Sequence, residues 1–160
     1  MYSRYFPIIV IPIIVLLFDQ TSKYMIDTHM GLYESREILR HFFHITYIRN
    51  PGAAFGFLAD GSHSTTRYFF MAATLLAIGV ILTIYHRNEV QGVTLRFSLS
   101  LILGGALGNF IDRLRFGEVI DFLDVHWYQY HWPAFNVADA SISLGMGLFI
   151  WHILRKRENH

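Results

Sequence analysis

The chain has 160 residues, of which 53% are hydrophobic and 16% are charged, and its formal net charge is +1. Its mean hydropathy is +0.34. Because soluble domains carry about 25% charged residues, this composition excludes an ordinary soluble domain, and it also excludes intrinsic disorder. The lack of cysteine excludes a disulfide scaffold, and the small net charge excludes a broad field for binding nucleic acid.

Four apolar stretches come close to the length of about 20 residues with which a helix crosses a bilayer. In chain order they cover residues 5–25, 68–85, 95–113 and 135–154. No cleavage site with small residues follows Phe18, so we expect a retained first helix and not a cleavable signal peptide. The sequence predicts an all-α integral membrane protein whose residues 1–160 form a single membrane domain.

The loop over residues 26–67 is too long to be only a connector. Residues 41–49 are rich in β-branched and aromatic side chains, which predicts a strand. The sequence Asn50-Pro51-Gly52 then predicts a turn. Residues 53–58 form a short apolar segment that we expect in the membrane interface. The loop as a whole predicts a small sheet at one membrane surface.

An even number of spans puts both termini on the same side of the membrane, and the distribution of basic residues indicates which side this is. Basic residues on that side are concentrated in short segments close to helix ends, whereas those on the other side are spread over two long loops and mixed with acids. Positive charge near helix ends is typical of the cytoplasmic side. We therefore expect both termini in the cytoplasm.

Polar residues collect at the end of the bundle that faces away from the termini. Because helices alternate in direction, the end of the first helix, the end of the third and the start of the fourth meet there. The ionisable and amide side chains near this end are Asp19, Lys23, Asn109, Asp112, Arg113, Asn136 and Asp139, and the loop between the last two helices adds Asp121.

Two of these acids predict a catalytic pair. Asp121 and Asp139 are on opposite sides of one loop, so they can meet at the mouth of the bundle. Two carboxyl groups that share a site do not both ionise easily, which leaves one acid and one base at neutral pH. The base can activate water while the acid protonates the carbonyl oxygen under attack. This chemistry needs no metal and no covalent intermediate.

Structural interpretations stay open for each acid taken alone. Asp139 could pair with Arg113 or Arg115, or cap the fourth helix, and Asp121 could be an acid in a turn. For the i,i+4 pair of Asp19 and Lys23, and for Asp112 beside Arg113, structural support is favoured over direct chemistry. Glycines in the third helix, at positions 104, 105 and 108, predict close helix packing.

Three other functional classes are weaker. A Ser–Lys peptidase needs a serine and a lysine in contact, yet Ser22 and Lys23 are adjacent on a helix and diverge. A metallopeptidase is disfavoured because the histidines include no H-E-x-x-H motif. A small transporter or proton channel would need polar residues across the whole membrane depth, whereas the second span is apolar throughout.

The polar segments also carry a family resemblance. The chain resembles the bacterial lipoprotein signal peptidases, or signal peptidase II, from the first span to the last. The five segments that match the family's motifs in order are DQTSK at 19–23, NPGAAFG at 50–56, GGALGNFIDR at 104–113, VIDF at 119–122 and FNVAD at 135–139.

The resemblance implies an aspartic endopeptidase of the cytoplasmic membrane that acts at the extracytoplasmic face. Its substrates would be diacylglyceryl-prolipoproteins, cut on the N-terminal side of the lipidated cysteine, and its other partners would be membrane lipids and the cyclic peptide inhibitors of the family. It implies no cofactor, metal or nucleic acid. The fold would be four transmembrane helices with a small extracytoplasmic β-cradle and a short loop helix.

The resemblance also assigns roles to individual residues. It makes Asp121 and Asp139 the catalytic pair. The residues that would support the site or bind substrate are Asp19, Lys23, Asn50, Gly52, Asn109, Asp112, Arg113 and Asn136.

Overall fold

The computed structural model describes residues 4–52, 63–86 and 92–158. These residues form four long helices and one four-stranded antiparallel sheet of strand order β1-β2-β3-β4. The helices are α1 (Phe6–His29), α2 (His63–His86), α3 (Val93–Phe116) and α4 (Val137–Glu158). The strands are β1 (Ser35–Leu39), β2 (Phe43–Asn50), β3 (Val119–Trp127) and β4 (Tyr130–His131).

Each of the four helices is long and apolar enough to cross a membrane, which confirms the predicted number of spans. The helices run somewhat further than the predicted stretches, since α1 continues to His29 and α2 begins at His63. Large apolar side chains cover their outer surfaces, including Phe18 at 68% exposure and Leu76 at 70%. Such a surface suits a lipid environment, because exposure of this much apolar area to water is unfavourable.

The central helix is α3, which packs against the other three. Its glycines make this packing possible, as predicted. A methyl group at Gly104 would lie 2.8 Å from Cβ of Val15 in α1, and one at Gly105 would lie 2.3 Å from the carbonyl oxygen of Ala138 in α4. These distances leave no room for a side chain, so the two neighbouring helices approach the backbone of α3 directly.

The sheet agrees only partly with the predictions. The predicted strand at 41–49 corresponds to β2, and the chain bends after it at Gly52, whose φ is +103°. The strands β3 and β4 were not predicted. The apolar segment at 53–58 lies outside the described residues, and neither described loop segment, 30–52 or 117–136, contains the short helix that the resemblance implied.

A buried ion triad joins α1 to α3. The Nζ atom of Lys23 lies 2.8 Å from a carboxylate oxygen of Asp19 and 2.8 Å from one of Asp112, and all three side chains are at most 2% exposed. Gln20 donates to both carboxylates, at 3.1 Å to Asp19 and 2.9 Å to Asp112. The predicted pair of Asp19 and Lys23 is thus confirmed, and Asp112 takes Lys23 as its ion partner although Arg113 is adjacent in sequence.

Removing the cation from this triad should destabilise the protein strongly. We expect Lys23→Met to lower the free energy of unfolding by about 3–5 kcal/mol, because two buried carboxylates lose their counter-charge. The matched control is Lys156→Met, since Lys156 is the other lysine of the chain and is exposed; its effect should stay within about 0.5 kcal/mol. Unfolding in detergent micelles measures both, and equal stability of the two variants would contradict the role of the triad.

The close packing of α3 and α4 gives a second stability prediction. Gly105→Ala should cost about 1–3 kcal/mol, because the added methyl group overlaps the backbone of α4. Gly147→Ala, at a position where an added methyl group meets no atom within 4 Å, should be neutral or stabilising by up to about 1 kcal/mol through helix propensity. Thermal unfolding of the two variants checks the difference, and a Gly105→Ala protein as stable as Gly147→Ala would refute it.

Candidate active site

The start of α4 is fixed beside β3 by the residue that precedes Asn136. The carbonyl oxygen of Phe135 accepts hydrogen bonds from the backbone N–H of Phe122 at 3.0 Å and of Leu123 at 2.8 Å, and the N–H of Phe135 donates to the carbonyl of Leu123 at 3.1 Å. These bonds place Asn136 next to Asp121. They explain how two acids 18 residues apart come to one place.

Asn136 contacts both acids. Its side-chain Nδ2 donates to Oδ1 of Asp121 at 2.7 Å, and its backbone N–H donates to Oδ2 of Asp139 at 3.3 Å. Its Oδ1 accepts the backbone N–H of Asp139 at 2.9 Å. The reciprocal bonds of Asn136 and Asp139 form a capping box at the start of α4, and Asn136 is fully buried. The acids therefore share one rigid neighbour.

A second asparagine orients Asp139. The Nδ2 of Asn109 donates to Oδ1 of Asp139 at 2.7 Å, while its Oδ1 accepts from Nζ of Lys23 at 3.0 Å. An ammonium group only donates, so Lys23 determines which end of the Asn109 amide faces Asp139. The ion triad thus controls the donor that holds this carboxylate.

A third asparagine holds Asp121 from the other side. The Nδ2 of Asn50, the last residue of β2, donates to Oδ2 of Asp121 at 2.8 Å. The backbone N–H of Gly52 donates to Oδ1 of Asn50 at 2.8 Å, which fixes the orientation of that amide. Gly52 has no room for a side chain, because a methyl group there would lie 2.2 Å from the ring of Phe70.

The environment of Asp121 favours its protonated form. The residue is 2% exposed, and the pKa of its carboxyl group is raised from 3.8 to about 7, with this burial as the largest cause and the amide of Asn50 opposing it. Repulsion from Asp139 is a smaller part of this rise in pKa, whereas Asn136 and Lys23 act against it. A carboxyl group that titrates near neutral pH beside a second carboxyl group can hold a proton and release it.

The predicted site residues fall into two layers. The first layer consists of the two acids and the asparagines that donate hydrogen bonds to them: Asn50, Asn109, Asp121, Asn136 and Asp139. The ion triad of Asp19, Lys23 and Asp112 lies behind this layer, and Gly52 supports Asn50.

The structural alternatives for the acids have different outcomes. The interpretation of Asp121 as an acid in a turn is wrong, because the residue lies in β3. Asp139 does cap α4, and its hydrogen bonds come from Asn109 and Asn136. The cap of α4 and the hydrogen bond to Asp121 coexist, since Asn136 takes part in both.

Arg113 lies at the edge of this network. Its Nη1 donates to the carbonyl oxygen of Asn109 at 3.3 Å, and its guanidinium carbon lies 5.1 Å from the ring centre of Phe70. Its buried Nε has no hydrogen-bond partner within residues 4–52, 63–86 and 92–158. Sequence reasoning did not assign a role to Gln20, although a polar residue beside Asp19 on an apolar helix was a usable signal.

Comparison with known proteins agrees with this architecture. The family model described as "Signal peptidase (SPase) II" matches residues 11–155. The chain is similar to the lipoprotein signal peptidase of Syntrophus aciditrophicus, at 48% identity over 91% of this chain and 90% of that protein. It is also similar to that of Geobacter sulfurreducens, at 48% identity over 88% of this chain and 87% of that protein.

A solved structure described as a bacterial membrane enzyme has the same fold, with a TM-score of 0.86 and 36% identity over 99% of this chain and 95% of that one. A second structure with the same description gives a TM-score of 0.84 at 38% identity, over 96% of this chain and 97% of that one. The agreement covers the helices, the sheet and all the segments that hold the two acids, and the chain therefore belongs to the signal peptidase II family.

Proposed function

We propose that this protein is a membrane-embedded aspartic endopeptidase that removes the signal peptide from diacylglyceryl-modified prolipoproteins, cutting on the N-terminal side of the lipidated cysteine. The observation that carries the proposal is the hydrogen bonding of Asp121 and Asp139 to the same asparagine. Family membership and the names of the relatives support the substrate class.

In the proposed mechanism Asp121 is the acid and Asp139 is the base. Asp139 takes a proton from water as the water oxygen attacks the scissile carbonyl carbon, and Asp121 gives its proton to the carbonyl oxygen. The resulting diol then collapses: Asp139 passes its proton to the leaving nitrogen, Asp121 regains a proton from the diol, and the C–N bond breaks. No metal or other cofactor takes part.

The assignment of acid and base rests on the surroundings of each carboxyl group. Burial keeps Asp121 protonated up to near neutral pH. Asp139 lies in the first turn of α4 and accepts hydrogen bonds from Asn109 and Asn136. A helix N-terminus and N–H donors stabilise negative charge, which suits a base.

Other residues of the site would support or bind the substrate. Arg113 is the best candidate for a direct contact, because its Nε has no partner in the described part of the chain and can donate to a substrate carbonyl. We assign Asn50, Gly52, Asn109 and Asn136 to the positioning of the two acids. Asp19, Lys23 and Asp112 would hold the bundle behind them.

We also propose the orientation and the partners. Both termini would face the cytoplasm of a bacterium and the sheet would lie on the extracytoplasmic face, because exposed Arg155 and Lys156 lie at the end of α4 opposite to Asp139. The lipid chains of the substrate would stay in the bilayer beside the apolar helix surfaces. Cyclic peptide inhibitors of the family would compete for the same site.

Substitution of either acid should abolish cleavage. We expect Asp121→Asn and Asp139→Asn each to lower the rate at least ~100-fold, because the asparagine side chain keeps the size but neither accepts nor gives the proton. Cleavage of a purified diacylglyceryl-prolipoprotein in detergent micelles, followed by gel shift, measures the rate.

The control for this experiment is Glu34→Gln. Glu34 is an acid of the same sheet region that makes an exposed ion pair with Arg36, and its loss should change the rate by less than about twofold. Thermal unfolding of all three variants separates inactive protein from unfolded protein. A folded Asp121→Asn or Asp139→Asn protein that cleaves at the wild-type rate would disprove the assignment.

The pKa of Asp121 also predicts how activity depends on pH. As pH rises through about 7, Asp121 loses the proton that the mechanism needs, so kcat/KM should fall on the alkaline side of this value. Initial rates over a series of buffers at constant ionic strength check this. A rate that stays level from about pH 6 to pH 9 would contradict the assignment of Asp121 as the acid.

The same shift predicts an effect on stability that does not depend on activity. Between the ordinary value of 3.8 and about 7, the folded state holds a proton on Asp121 that the unfolded state has lost. The contribution of Asp121 to the free energy of unfolding is therefore fully present below about pH 4 and is lost as pH rises through about 7. The Asp121→Asn protein should lack this part of the pH dependence in thermal unfolding.

A further inference from the structure

A second polar cluster lies further along the sheet, separate from the two acids. It consists of His44 on β2, Asp124 and His126 on β3, and His131 on β4. The strand register pairs His44 with Asp124 and His126 with His131. Asp124 is three residues from Asp121, which corresponds to about 10 Å along a strand. None of these four residues entered the mechanism above.

The four side chains converge. The rings of His44 and His126 have centres 4.3 Å apart, and those of His126 and His131 are stacked at 4.6 Å. Nδ1 of His44 lies 3.9 Å from Oδ2 of Asp124. One potential ligand atom from each of His44, Asp124 and His126 lies within 4.8 Å of the others.

Two nitrogen atoms of this cluster have no hydrogen-bond partner among the residues that the structure describes. They are Nδ1 of His126, a residue that is only 5% exposed, and Nε2 of His44. A buried polar atom without a partner is costly, so each one requires an explanation. The carboxylate of Glu37 lies 3.6 Å from Nε2 of His44, which is too far for a hydrogen bond. Both unpaired atoms lie in the same cluster.

We propose that His44, Asp124 and His126 bind a zinc ion. Imidazole nitrogen and carboxylate oxygen are usual ligands of Zn²⁺, whereas Mg²⁺ and Ca²⁺ favour oxygen ligands alone. With zinc–ligand bonds of about 2.0–2.2 Å, neighbouring ligand atoms of a tetrahedral site are about 3.3–3.5 Å apart. The atoms now lie within 4.8 Å of one another, so zinc binding would require side-chain rotations of the two histidines that bring them closer.

His131 completes the site from outside the ligand set. Its Nδ1 lies 2.8 Å and 3.0 Å from the two oxygens of Asp124, so its N–H donor can orient this carboxylate toward the ion. Hydrogen bonds of this kind to a ligand carboxylate are typical of metal sites. A water molecule would occupy the fourth coordination position of the ion.

The bound ion would act as a clamp between strands and not as a catalyst. It would link β2 to β3, the strands that carry Asn50 and Asp121, at a point outside the peptidase site. The proposal does not depend on the peptidase function, and it does not make the protein a metallopeptidase. Its test therefore uses metal binding and not cleavage.

The experiment uses the full-length chain without a polyhistidine tag, purified in detergent and stripped with a chelator. Dialysis against Zn²⁺ and measurement of the metal content should give one zinc per chain, and addition of Zn²⁺ should raise the thermal unfolding temperature. Replacement by Co²⁺ should give the intense visible bands of a four-coordinate ion. Absence of bound zinc, or only the weak bands of octahedral Co²⁺, would overturn the proposal.

Three variants locate the site. His44→Asn and His126→Gln should each lower the zinc affinity at least ~10-fold, and their double variant should bind no zinc.

The control is His41→Asn. His41 lies just before β2 and stacks on Tyr128, and asparagine tolerates its φ of +61°. Zinc binding by the double variant equal to that of the control would also overturn the proposal. Far-UV circular dichroism of the metal-free variants verifies their folding, and the Co²⁺ spectrum of the unaltered chain decides the question where a variant fails to fold.

Discussion

The buried ammonium group of Lys23 is the constraint on which the arrangement of the bundle depends. At 2% exposure it has no water to solvate it, and a lone charge in such a place costs several kcal/mol even after relaxation. Two carboxylates and one amide oxygen take the place of water: those of Asp19, Asp112 and Asn109. Because these partners lie on α1 and α3, the helices are held in one relative position and one rotation.

An amide group orients each of the two acids, and Lys23 fixes the amide that holds Asp139. An asparagine side chain has a donor end and an acceptor end, so fixing one end fixes the other. Lys23 fixes Asn109, which then donates to Asp139, and Gly52 fixes Asn50, which then donates to Asp121. The neutral amides orient the acids without adding a charge that would hold both of them ionised. A lysine or arginine in direct contact would do the opposite, since a close cation stabilises the carboxylate form.

The sequence predicted those features that depend on length and on helix direction. Four apolar stretches of sufficient length gave the spans, and the alternation of direction brought Asp19, Asn109 and Asp139 to one end. Packing of α1 and α4 on the glycines of α3 was also predictable, because small residues in a membrane helix have few other uses. Partners that depend on the rotation of one element against another were not predictable. Asp112 precedes Arg113 in sequence but pairs with Lys23, since consecutive residues on a helix point in different directions.

The strand β3 was missed because its two acids, a residue type that is depleted in strands, interrupt the run of β-branched and aromatic residues from Val119 to Trp127. The histidine cluster was not predictable either. The register between β2, β3 and β4 brings its members together, and no spacing in the sequence encodes that register.

The missed strand is the element that connects the two sites. Asp121 near its start contacts Asn50 at the end of β2, and Asp124 and His126 further along contact His44 near the start of β2. Both sites therefore depend on the same pairing of β2 with β3, and that pairing contains a register shift between Ile45 and Ile48. An irregular ladder of this kind has fewer regular hydrogen bonds to resist sliding. A metal bridge on one side of the irregularity and a network of asparagines on the other would hold the same register from both ends, and the position of Asp121 relative to Asp139 follows from that register.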